Sequence, residues 1–133
     1  MRIFKMIDRL LLRHWPRYRL WRICKAIGIK PYEWQRSFVL RMGFFLTPGI
    51  RFQRANGKTT AIMLRILMIP KNNADAWAEA GRLIQLDPDW DHDRLRWYSG
   101  EYRRLRNLCL NAGIPVLRVE IYRMIEECNR RIR

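Results

Sequence analysis

Acidic residues are scarce in this chain: across 133 residues, 12 Asp and Glu stand against 27 Lys and Arg. The formal net charge is therefore +15, and the isoelectric point is near 11.0. A field of this sign disfavours cationic ligands and favours polyanions, with nucleic acid ahead of an anionic membrane surface. The length suits one domain over residues 1–133 with a single core, because hydrophobic residues make up 49% of the chain.

Cysteine is also rare, and its placement excludes two classes of protein. The three cysteines, Cys24, Cys109 and Cys128, are an odd number and contain no Cys-x-x-Cys pair. Only His14 and His92 could join them as metal ligands. The pattern therefore argues against a disulfide-stapled secreted domain and against a structural metal site, and it predicts a reducing, cytoplasmic compartment.

Long hydrophobic runs are absent as well. No stretch approaches the roughly 18 apolar residues that a transmembrane helix requires. At the start of the chain, Asp8, Arg9 and Arg13 interrupt the apolar residues. We therefore expect neither a transmembrane segment nor a signal peptide.

Residues 1–28 form a basic stretch with helical periodicity. Pro16 predicts a break between two helices, and Gly28 predicts the end of the second. Trp15, Tyr18 and Trp21 lie among the arginines, a pattern that suits phosphate contact and base stacking. Two other interpretations stay open: a solvated charged face whose aromatic rings pack on the domain, and a basic amphipathic helix on an anionic membrane.

Apolar periodicity predicts further helices at about 31–42, 59–69, 74–86, 94–111 and 120–132. Alternation predicts a strand at 50–53, and 114–119 reads as a short extended segment. The expected fold is mainly α (α+β): a helical domain with one or two short strands, too short for a complete P-loop NTPase sheet. The acidic loop 87–93 departs from a calcium loop at His92 and Tyr98, so we expect Asp91 or Asp93 to cap a helix instead.

The segment 53–61 has the arrangement of a phosphate-binding loop. A predicted strand leads into Gly57-Lys58-Thr59, and an apolar helix follows. Unpaired N–H groups and the dipole at such a helix start attract phosphate, while the lysine adds a full charge. The general pattern G-x-x-x-x-G-K-[ST] is incomplete here, because Phe52 occupies the place of its first glycine.

The run of residues 54–61, RANGKTTA, resembles the deviant Walker A motif of phage terminase large subunits, which commonly lack that first glycine. Upstream, residues 31–36, PYEWQR, resemble the adenine-reading segment of the same family. The resemblance covers about residues 29–69. It implies that Gln35 reads adenine, Arg54 lies near the γ-phosphate, Lys58 holds the β- and γ-phosphates and Thr59 ligates Mg²⁺. The nucleotide-binding set that it implies is Gln35, Arg54, Gly57, Lys58, Thr59 and Thr60.

Two elements of that family have no counterpart. The chain has no apolar strand ending in Asp-Glu, and no acidic nuclease cluster. Because phosphoryl transfer needs a positioned metal and water, we do not expect turnover by this chain alone, although ATP with Mg²⁺ remains the implied cofactor. The same loop could also be retained for packing only.

The leading hypothesis is a small phage-derived, non-motor accessory protein that binds DNA or RNA in the bacterial cytoplasm. Arginine contacts to phosphate would position it without reading sequence. The residues expected to make these contacts are Arg13, Arg17, Arg19, Arg22, Arg103, Arg104 and Arg106. One alternative is an accessory or inhibitor that docks on a host nucleoprotein, for example a CRISPR-type complex. Another is one half of a split DNA-packaging ATPase, with a partner protein covering the apolar helix 59–69.

Overall fold

The computed structural model describes residues 2–40, 58–85, 91 and 93–132. Within these ranges the chain forms seven α-helices and no strand. The helices are α1 (Arg2–His14), α2 (Pro16–Ile27), α3 (Glu33–Leu40), α4 (Lys58–Leu67), α5 (Ala74–Gln85), α6 (Leu95–Asn111) and α7 (Ile121–Ile132).

The mainly helical class is therefore confirmed for the described residues. The strand expected at 50–53 lies outside them. The segment 114–119 is neither helix nor strand, and it links α6 to α7 with Ile114, Val116 and Leu117 buried. The sequence predicts a short extended segment at 114–119. In the described part of the chain, this segment pairs with no strand.

Pro16 and Gly28 separate and end the two N-terminal helices, as the sequence predicts. Pro16 is the first residue of α2, where its missing N–H costs nothing, and α1 ends two residues earlier at His14. Gly28 ends α2 in the left-handed conformation, with a φ of 76°, and its N–H donates to the carbonyl of Cys24 at 2.9 Å.

Helix α4 is the centre of the core. All seven residues from 61 to 67 are buried, and α4 contacts α2, α3 and α5. The apolar helix is therefore buried within the chain. The expectation of a helix that is apolar nearly all round is confirmed.

Helices α5 and α7 pack closely because α5 carries a glycine at the crossing. A Cβ built on Gly81 would lie 2.2 Å from the carbonyl oxygen of Met124 and 2.9 Å from Cβ of Cys128. Any side chain there would force the two helices apart. On α6, the buried residues include Tyr98 and Tyr102, and the Tyr102 hydroxyl donates to the carbonyl of Leu117.

Just ahead of α6, Asp91 accepts a hydrogen bond of 2.8 Å from the backbone N–H of Arg94. Arg94 occupies the N-cap position, and its side chain makes no capping hydrogen bond. The N-cap is therefore Arg94 and not Asp91 or Asp93 as expected, although Asp91 places a carboxylate near the start of α6.

Candidate nucleic-acid interface

The structure describes the phosphate-loop residues in part. Arg54 and Gly57 lie outside the described residues. Lys58 is the first residue of α4, and Thr59 and Thr60 follow in its first turn, half-buried and exposed respectively. Gln35 lies on α3, which packs against α4, so the structure brings the two motif-bearing helices into contact.

Gln35 itself is buried rather than open to solvent. Its side-chain oxygen accepts a hydrogen bond of 2.8 Å from the backbone N–H of Tyr32, which precedes α3. This bond satisfies a backbone N–H at the start of α3, so the side-chain oxygen of Gln35 stabilises the helix start.

Arg65 joins α4 to α3 and was not among the expected site residues. Its guanidinium donates to the carbonyl of Phe38 at 3.1 Å and to that of Val39 at 2.8 Å. Those carbonyls belong to the last described turn of α3, so Arg65 fixes that end of α3 to α4. Burial lowers the pKa of Arg65. Arg65 is the one polar residue in the run 61–69, but that pattern does not show which groups it binds.

The three arginines expected from α6 are each opposed by a carboxylate. Arg103 lies 3.0 Å from Glu120, and Arg106 lies 3.5 Å from the same residue. Arg104 lies 2.6 Å from Glu101, three positions earlier on the helix. Their charge is thus partly neutralised, and Glu120 has a lowered pKa because Arg103 donates a hydrogen bond to it.

Arg22 also forms an ion pair, with the carboxylate of Asp8. Its Nε and Nη2 donate to the two oxygens of Asp8, each at 3.0 Å, and Nη2 also donates to the carbonyl of Ala112. The hydroxyl of Tyr18 donates to Asp8 too. Asp8 therefore fastens α1 to α2, and the hydrogen bond from Arg22 holds the pKa of that carboxyl below its usual value.

Arg19 does not belong to an exposed surface, contrary to the role expected for it. It is 2% exposed, and its Nη2 donates to the carbonyls of Leu67 and Pro115. Its Nε and Nη1 are buried without a hydrogen-bond partner. Burial lowers the pKa of Arg19 to about 10. One signal for this position was available, because Ile23 follows four residues later on the buried face of α2.

Arg13 and Arg17 differ from the other five expected contacts. Both side chains are exposed, and neither forms an ion pair with a described residue. They lie on either side of Pro16, at the junction of α1 and α2. Within the described part of the chain, no carboxylate neutralises either charge.

Arg17 also lines a groove that the sequence did not reveal. We call it the α2–α3 groove: two adjoining cavities of about 750 and 490 Å³ that share Arg17, Pro31, Arg36 and Leu40. The remaining lining residues are Trp15, Pro16, Leu20, Trp21, Cys24, Lys25, Ile29, Lys30, Glu33 and Ser37.

The charge of the α2–α3 groove is mainly positive. Arg17, Lys25, Lys30 and Arg36 line it, whereas Glu33 is the one acidic residue among its lining residues. All four cations are exposed, and none forms an ion pair with a described residue. In the sequence, Arg36 ends the segment 31–36, Lys25 belongs to the basic stretch 1–28 and Lys30 follows it. Only the tertiary fold places these residues around one groove.

Aromatic rings border the groove along α2. Trp15 stacks on Tyr18 with ring centroids 6.5 Å apart, and Tyr18 lies 5.9 Å from Trp21. Both tryptophans are more than half exposed, and Lys25 lies 5.0 Å from the centre of the Trp21 ring. Flat exposed rings beside cations are the elements with which proteins hold single-stranded nucleic acid.

Cys24 also lines the groove, and its side chain is buried. Burial raises its pKa to about 11, so the thiol stays protonated near neutral pH. Among the described residues, no group of three or more His, Cys, Asp or Glu side chains could hold a metal ion. Within the same part of the chain, no helix is both long and apolar enough to cross a membrane.

Comparison of the chain with protein-family models, with curated proteins and with solved structures finds no match.

Proposed function

We propose that this protein binds single-stranded nucleic acid in the α2–α3 groove, as a non-motor accessory. The observation that carries the proposal is the pair Arg17 and Arg36, two exposed guanidiniums in one groove, neither with a carboxylate partner among the described residues. Guanidinium groups bind phosphate oxygens through two donors at once. Lys25 and Lys30 would extend the same contact along the backbone.

The aromatic border favours a single strand over a duplex. In a duplex the base faces are stacked on one another, whereas a single strand can place a base on the exposed ring of Trp21 or Trp15. Contacts of this kind tolerate any sequence, because every base has a flat face. The net charge of +15 adds long-range attraction for the polyanion.

The test compares two matched charge removals by fluorescence anisotropy with a labelled 20-nucleotide single strand. We expect Arg17→Gln/Arg36→Gln to weaken binding about tenfold at moderate salt, since two phosphate contacts are lost. Arg123→Gln/Arg130→Gln removes the same charge from α7, where both arginines pair with Glu126, and should change affinity much less. Equal losses in the two variants would show that net charge, rather than the groove, determines binding.

A second comparison tests stacking. Trp21→Leu should weaken single-strand binding about tenfold, because stacking of one base contributes roughly 1–3 kcal/mol. Trp97→Leu removes an equally exposed indole from α6, outside the groove, and serves as the control. If the affinity for a single strand is unchanged in Trp21→Leu, the groove does not stack bases.

The start of α4 supports a nucleotide as a second ligand of the same accessory protein. Lys58 begins the helix, Thr60 is exposed in its first turn, and the helix that carries Gln35 packs against it. These are the positions at which the terminase-like resemblance implies ATP with Mg²⁺. We propose that the nucleotide is bound but not hydrolysed, because the described residues contain no cluster of metal ligands that could position Mg²⁺ for phosphoryl transfer.

A further inference from the structure

Helix α1 leaves five large apolar side chains in solvent. Their exposed fractions lie between 47% and 76%, although a helix of a compact domain normally buries such residues. They are Ile3, Phe4, Met6, Ile7 and Leu10. Leu12 is the one residue of α1 that is buried.

These five residues share one side of the helix. At 3.6 residues per turn they fall within an arc of about 160°. Leu12, through which α1 packs on the rest of the chain, lies roughly opposite the middle of that arc. The apolar side of α1 therefore points away from the body of the protein.

Apart from His14, the remaining exposed residues of α1 carry positive charge. Arg2, Lys5, Arg9 and Arg13 are exposed and form no ion pair with a described residue. The helix has one acid, Asp8, and Arg22 and Tyr18 of α2 already bind it. The free surface of α1 thus combines a wide apolar side with four cations and no available carboxylate.

We propose that α1 is an interfacial helix that binds the surface of an anionic lipid bilayer. The apolar side would enter the boundary between headgroups and acyl chains, and the cations would contact lipid phosphates. The short helix would lie in the plane of the surface, since its 13 residues span about 20 Å, less than the hydrocarbon core of a bilayer.

Charge and shape favour a bilayer over other occupants of this face. A second copy would bring four cations of one α1 against four of the other, on chains that each carry +15. A single partner helix would cover a narrower stripe, because a helix–helix seam uses about two positions in seven. A bilayer accepts an apolar arc of this width and supplies the missing negative charge.

Vesicle sedimentation of the full chain tests the proposal. We expect at least about tenfold stronger binding to vesicles of phosphatidylcholine with phosphatidylglycerol than to phosphatidylcholine alone, because each cation near an anionic surface adds to affinity. Phe4→Ser/Ile7→Ser should lose at least about tenfold on the anionic vesicles. Tyr122→Ser, which removes a similarly exposed ring from α7, should bind as the unchanged chain does.

If Phe4→Ser/Ile7→Ser fails to fold, Met6→Ser/Leu10→Ser should show the same loss of vesicle binding. Circular dichroism verifies that both double variants keep their helical content. Binding that is equal for the two vesicle types, or that survives both pairs, overturns the proposal. So does a concentration-dependent dimer that disappears in Phe4→Ser/Ile7→Ser, since the face would then join two copies. The proposal is separable from nucleic-acid binding, because both apolar pairs should bind the single strand with unchanged affinity.

Discussion

The guanidinium of Arg19, on α2, donates a hydrogen bond of 2.7 Å to the backbone carbonyl of Leu67, the last residue of α4. Carbonyls in the last turn of a helix have no partner within it, and this one is buried at the centre of the core. The same Nη2 also bonds to the carbonyl of Pro115, so one side chain ties α2, α4 and the α6–α7 connection together.

Arg19→Ala should therefore unfold more easily, by about 3 kcal/mol in urea denaturation, because the buried carbonyl of Leu67 and the part-buried carbonyl of Pro115 lose their donor. Arg19→Lys keeps the charge but lacks the forked donor, and it should also be less stable. Arg17→Ala is the control: two residues earlier and exposed, it should change the free energy of unfolding by less than about 0.5 kcal/mol. Similar free energies of unfolding for Arg19→Ala and Arg17→Ala would show that the hydrogen bonds of Arg19 to Leu67 and Pro115 do not stabilise the fold.

The contact between Asp8 and Arg22 should give stability that depends on pH. The pKa of Asp8 is lowered in the folded state, chiefly by the hydrogen bond from Arg22. The stabilisation is then complete above the unfolded pKa of about 3.9 and is lost as pH falls through the lower, folded value. We expect Asp8→Asn to be less stable by about 1 kcal/mol at pH 7, and the difference to shrink below about pH 4.

Thermal melts from pH 7 to pH 2.5 measure that difference. Glu120→Gln serves as a comparison, because Arg103 lowers the pKa of Glu120 in the same direction at a site far along the chain. A gap between Asp8→Asn and the unchanged chain that stays constant down to the lowest pH would show that the charge of Asp8 contributes nothing.

Two helical glycines should respond in opposite ways to the same substitution. Gly81→Ala places a Cβ within 2.2 Å of the Met124 carbonyl oxygen, so α5 and α7 must separate, at a cost of at least about 2 kcal/mol. Gly100→Ala, on α6, meets no atom within 4 Å and should stabilise by about 0.5–1 kcal/mol through helix propensity. Urea denaturation of both variants checks the pair, and equal effects would contradict the close α5–α7 packing.

The proposed nucleotide contact at the start of α4 predicts a ligand-dependent thermal shift. ATP with Mg²⁺ at tenfold excess over its dissociation constant should raise the melting temperature by about 4 °C. Lys58→Ala should abolish the shift, whereas Lys71→Ala, an exposed lysine beyond the end of α4, should retain it. A shift that survives Lys58→Ala would place the nucleotide elsewhere.

Much of the helical plan could be predicted from the sequence, because it depends on local rules. Pro16 and Gly28 lie at the start and the end of α2, as proline and glycine chemistry predicts, and the largely apolar pattern of α4 predicted its burial. These signals need only neighbours in the chain.

The interface could be predicted less well, because it depends on tertiary packing. Seven arginines looked alike in the sequence, yet Arg19 is buried, Arg22 binds Asp8 and those of α6 face carboxylates. Arg36, on a different helix, completes the groove with Arg17. Spacing along one helix gives the face of a residue, but it cannot give the partner that another helix brings to that face.

The salt dependence of oligonucleotide affinity measures how many phosphates the α2–α3 groove neutralises. For single strands, each neutralised phosphate contributes about 0.7 to the slope of log affinity against log salt concentration. We expect Arg17→Gln/Arg36→Gln to reduce that slope by about 1.4 relative to the unchanged chain. The α7 variant Arg123→Gln/Arg130→Gln should leave the slope unchanged. Identical slopes for the groove variant and the unchanged chain would contradict nucleic-acid binding in the groove.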